Sequence, residues 1–73
     1  MQINEASKIL REMYQKADKK EKAVSIHLFG IKYAQQIEDM SAKDIVIGAD
    51  LPESYKTEVR KGINLAKYVE VKA

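Results

Sequence analysis

The sequence predicts an all-α fold, a compact bundle of about four helices that ends in a short helix, a tight turn and a longer helix. Three observations predict it. Apolar residues recur at i, i+3, i+4 and i+7 over most of the chain, the period of a helix buried along one face. Asn4 and Ser41, both good helix caps, each precede such a run. The single proline, Pro52, stands where a helix would restart after the turn-forming Gly48-Ala49-Asp50.

Seventy-three residues set the scale at one small domain, residues 1–73, with no second core. The hydrophobic content of 45% suffices for a core, and the chain has no cysteine. Neither disulfides nor a zinc thiolate site can staple it, and no cluster of metal ligands is visible. No metal or other cofactor is expected. The charge is high and nearly balanced, 13 basic against 11 acidic residues. Residues 1–40 carry seven basic and six acidic, residues 41–73 six and five. Any electropositive site must therefore arise from local arrangement. No secretory apolar segment follows Met1, and no run approaches the roughly 18–20 residues of a membrane span. The expectation is a cytoplasmic protein with no membrane partner.

The first helix is expected over Met1–Ala17, with Asn4 as its cap and Glu5 in the first turn, where the helix dipole favours an acid. Ile3, Ala6, Ile9, Leu10, Met13, Tyr14 and Ala17 fall on one face; Lys8, Arg11, Glu12 and Gln15 take the other. Asp18-Lys19-Lys20-Glu21-Lys22 is a charged break, the connection or the start of the next helix. From Ala23 to Met40 apolar residues spread around most of the wheel, which marks a hub that other helices pack around. Val24-Ser25-Ile26-His27-Leu28 also alternates like a strand, but the pattern runs too long for one. Gly30, inside this segment, marks a kink or a close helix crossing. His27, the only histidine, has no evident acid or nucleophile to work with, so a partly buried, hydrogen-bonded histidine is expected.

Ser41 followed by Asp44 approximates a capping box and opens a short helix with Ile45, Val46 and Ala49 inward. Gly48 and Asp50 suit the turn. Pro52 and Glu53 then begin a longer helix to Tyr68, with Tyr55, Val59, Ile63 and Ala66 on one face and Gly62 and Val69 beside them. The opposite face gathers Thr57, Arg60, Lys61, Asn64 and Tyr68, flanked by Lys56 and Lys67. Val69-Glu70-Val71 alternates and reads as a short C-terminal strand or a frayed end.

That basic and polar face is the strongest functional signal. A helix fits the major groove, where Arg and Asn can pair with base edges while Lys and Thr hold phosphates. The first hypothesis is a duplex-DNA-binding module in which Arg60 and Asn64 read bases and Lys56, Thr57, Lys61 and Lys67 contact the backbone. The alternative is a protein–protein interaction or oligomerisation domain using Leu65, Tyr68 and Val69 as an apolar patch. An enzyme is not expected: there is no nucleophile–base pair, no metal set, no phosphate loop and no small-molecule substrate pocket in view.

The pattern Ser41-x-x-Asp44-Ile45-Val46-x-x-Ala49-Asp50-Leu51 resembles the opening of helix-turn-helix domains, in which the second helix enters the major groove. Through Leu28-Phe29-Gly30-Ile31-Lys32-Tyr33-Ala34 and Leu51-Pro52-Glu53-Ser54-Tyr55 the chain also looks like small bacterial domains described as helix-turn-helix-like. The resemblance implies a DNA-binding shape and no defined activity. Two positions depart from it. Asp50 stands where that family prefers glycine, and Lys56 stands where an apolar residue is expected. A one-residue shift in the turn would let Tyr55 fill the second role.

Overall fold

A computed structural model describes residues 1–71. Five helices run in order: α1 Ile3–Lys16, α2 Lys22–Lys32, α3 Ala34–Ile37, α4 Ala42–Gly48 and α5 Lys56–Leu65. Single 3-10 turns at Lys19–Glu21 and Glu53–Tyr55 lead into α2 and α5. The body measures 29 × 28 × 21 Å.

The core draws on every helix. Ala6 and Leu10 of α1, Ile26 and Phe29 of α2, Ile37 of α3, Ala42, Ile45 and Val46 of α4, Ala49 beyond it and Val59 of α5 are all buried. Helix α1 packs on α2 and α4, and α5 on α2 and α4, with α2–α5 the most extensive pairing. Two polar side chains fix the α1 contacts. The buried Ser7 hydroxyl donates to the Ile45 carbonyl at 2.9 Å, with Gly48 leaving it room. Lys22 donates to the Tyr14 carbonyl at 2.6 Å, a cation at the negative end of α1, and lies over the Tyr14 ring.

Several expectations change. Helix α1 begins at Ile3 rather than after Asn4; Gln2 flanks it, with no side-chain cap. The hub is divided: α2 ends at Lys32, and Tyr33 (φ −110°, ψ 16°) breaks the helix before the single turn of α3. The break lets Ile37 turn fully into the core, while the Tyr33 ring packs on Phe29 with centroids 5.6 Å apart. Nor is α2 surrounded, since Ala23, Val24 and Leu28 stay exposed. Gly30 is a close crossing and not a kink, because α2 runs through it unbroken. Helix α5 stops at Leu65, three residues early, and residues 69–71 form no strand.

The turn between α4 and α5 follows a Schellman pattern. The Leu51 N–H reaches the Val46 carbonyl at 2.9 Å and the Asp50 N–H reaches Ile47 at 3.0 Å. Asp50 occupies the left-handed position with φ 62°. Glycine is favoured there, and aspartate is among the few other residues that tolerate it. The 3-10 turn then supplies the shift in register, so that Tyr55 and Leu51 pack against the core.

Candidate nucleic-acid interface

Helix α5 is set by its narrow face. Val59 and Gly62 are buried, and Gly62 meets Gly30 of α2 backbone to backbone. A Cβ on Gly30 would lie 2.7 Å from the Val59 carbonyl oxygen, and one on Gly62 would lie 2.5 Å from that of His27. With that side pressed on α2, the residues 100° to 180° around the helix face outward. Thr57, Arg60, Lys61 and Asn64 are all exposed.

A second link fixes the edge of the α2–α5 seam. The His27 ring nitrogen pairs with a Glu58 carboxylate oxygen, both side chains being about three-quarters buried. Glu58 also receives Lys61 at 3.2 Å. These partners, the His27 hydrogen bond first, hold the Glu58 carboxyl below its ordinary range. His27 is thus partly buried and hydrogen-bonded, as expected, but the acid that the sequence did not reveal is present: it is Glu58.

Five of the six sequence-predicted residues line one groove. Lys56, Thr57, Arg60, Lys61 and Asn64 form its α5 wall, and Ser41, Ala42 and Lys43 of the α4 start form the other. The groove encloses about 480 Å³ and opens broadly to solvent. Lys67 is not in it; it follows α5 in the turn at 66–68. The groove is shaped by the start of α4 as well as by α5, and Lys43 is the residue missed from sequence. Its signal was its position two residues after the Ser41 cap, on the exposed side of a helix expected to pack beside α5.

The cations are already engaged. Lys56 reaches Glu53 at 2.9 Å, and Lys43 reaches the same carboxylate at 3.9 Å. Glu53 is held below its usual range, by the Lys56 hydrogen bond first and the Lys43 charge next. Thr57 donates its hydroxyl to the Ser54 carbonyl at 3.0 Å. Arg60 reaches the connection between α3 and α4: Nη1 donates to the Glu38 carbonyl at 3.2 Å and Nη2 to that of Met40 at 2.9 Å. The α4 wall is fixed in turn by Ser41, whose hydroxyl accepts from the Asp44 N–H at 3.2 Å.

The arrangement presents cations and amide or hydroxyl donors in one concave strip, the chemistry that phosphates and base edges require. No group of three or more His, Cys, Asp or Glu among the described residues is placed to hold a metal ion. No helix among them is long and apolar enough to cross a membrane. A family model described as an HTH-like domain matches residues 2–72. Neither a curated protein nor a solved structure matches the chain.

Proposed function

Since the chain belongs to the HTH-like domain family, we propose that it is a non-catalytic nucleic-acid-binding module that takes duplex DNA against α5. In this reading residues 1–73 act as one domain, working in the cytoplasm. Lys56, Thr57, Arg60, Lys61, Asn64 and Lys67 make the interface, joined by Lys43 from α4. The observation that carries it is the convergence of five of those residues and Lys43 on a single groove. Each lysine that displaces a condensed counterion adds to the salt dependence of affinity.

The test is an NMR titration with a mixed-sequence duplex at low salt. Amide shifts concentrated at residues 41–44 and 56–67, fading as salt rises, are the expected result. Shifts absent from both walls of the groove would refute the reading.

A second reading has its own observation. Leu65, Tyr68 and Val69 are exposed at 43%, 82% and 46%, apolar side chains at and just beyond the end of α5 that suit a protein partner or a second copy. Sedimentation would show a dimer lost on Leu65→Lys; a monomer at high concentration would remove self-association.

A further inference from the structure

Arg60 is the one member of the groove whose charged group is spent on the protein's own backbone. Its two terminal nitrogens hold carbonyls two residues apart, Glu38 at 3.2 Å and Met40 at 2.9 Å. Those carbonyls belong to the segment where α3 has ended and α4 has not begun, with acceptors that helical bonding leaves free. The same segment is pinned from inside by the Met40 N–H to the Ile37 carbonyl at 2.9 Å. Ser41, the next residue, caps α4 and starts the far wall of the groove. A guanidinium fits this task because its donors lie in a rigid plane; an ammonium is a single point and cannot span both acceptors in the same way.

Resting on the nucleic-acid reading above, we propose that Arg60 is a positioning residue and does not read bases. It clips the α3–α4 linker to α5, sets the separation of the two groove walls, and leaves base recognition to Asn64. To reach a guanine edge it would have to abandon two charge-assisted hydrogen bonds and release the α4 wall that the ligand must meet. Asn64 lies one helical turn further along the same face and lines the groove.

The test uses Arg60→Lys and Arg60→Gln in the whole chain, with two readouts. In the free protein, amide hydrogen exchange at Met40 and Ile45 speeds up about tenfold, the scale of one lost charged hydrogen bond. Exchange at Leu10 and Phe29 keeps its wild-type rate. Faster exchange everywhere, or no change at Met40 and Ile45, overturns the proposal, because the role would then be general stability or nothing. In the second readout, fluorescence anisotropy with a mixed-sequence duplex shows both variants binding several-fold more weakly. Their slope of log affinity against log salt stays at the wild-type value. A slope shallower by about 0.9 in Arg60→Gln would place Arg60 on a phosphate and overturn the proposal. Across a panel of duplexes of different sequence, a preference lost in Arg60→Lys but kept in Asn64→Ala would do the same. Should the wild-type chain bind no duplex, the DNA reading fails while the exchange result still decides whether the clip exists. Should Arg60→Gln fail to fold, Arg60→Lys carries the exchange readout and the comparison of sequence preference.

Discussion

One methyl group at Gly62 would meet the His27 backbone oxygen at 2.5 Å, with no flexible side chain to absorb it. Alanine raises intrinsic helix propensity by about 1 kcal/mol over glycine, so an isolated helix would gain. Overpacking costs of about 1–3 kcal/mol oppose this. Gly62→Ala is therefore expected to destabilise by up to about 2 kcal/mol, read as a lower midpoint in urea; a raised midpoint would mean the helices stand further apart. Asp50 gives the opposite case. Its φ of 62° strains a non-glycine backbone, and its ion pair to Arg11 at 3.6 Å is exposed and weak. Asp50→Gly should stabilise by about 0.5–1 kcal/mol in the same measurement. Of these residues, the sequence alone marked Gly30 as a bend or a crossing, and it marked Asp50 as a turn. It did not pair Gly30 with Gly62, because two residues 32 apart without side chains leave no periodic signature. Glu58 gives a pH dependence. Its folded-state pKa is depressed, so its contribution is present above its unfolded value and lost as pH falls through the lower folded one. Glu58→Gln should flatten the acid limb of the stability curve in pH-dependent thermal melts; an unchanged limb would show that the His27 pairing contributes nothing.

At the scale of elements, α4 is the one α-helix among the described residues whose start is held by a side-chain cap. Seven residues are far below the roughly 12–15 that make an isolated helix marginal. Its stability comes from burying Ala42, Ile45 and Val46 and from the Ser41 cap. Ser41→Ala should cost about 0.5–2 kcal/mol in chemical denaturation. Of all the elements α4 was the most legible, since cap, inward residues and closing turn could each be read from local chemistry. The long hub helix was the least. Nothing between Ile31 and Ile37 breaks a helix by propensity; the division at Tyr33 goes with tertiary packing, the Tyr33 ring lying tilted against Phe29 and Ile37 being buried. The same limit applies to the groove. The α5 face was visible as a wheel, but its α4 wall and the Arg60 clip depend on contacts across 20 and 22 residues of sequence.

For the whole molecule, a net charge of +2 gives little long-range steering. On the proposed nucleic-acid reading the groove therefore acts at short range, and the carboxylates paired with its lysines compete with the ligand. Glu53 holds Lys43 and Lys56 together. Glu53→Gln should raise duplex affinity several-fold at low salt by freeing both, and the gain should shrink as salt screens the site. Anisotropy titrations at two salt concentrations would check it, and a weaker complex would place the ligand elsewhere.

The contact of Gly30 with Gly62 also bears on how the chain can change. When two side chains interlock, an enlargement on one can be offset by a reduction on the other. Here neither position has an atom left to remove, and the obstacle on each side is main chain. A larger residue at Gly62 therefore has no compensating substitution at Gly30. Recovery would have to come from sites that let α2 and α5 move apart as bodies, and that movement would carry the α5 wall of the groove with it.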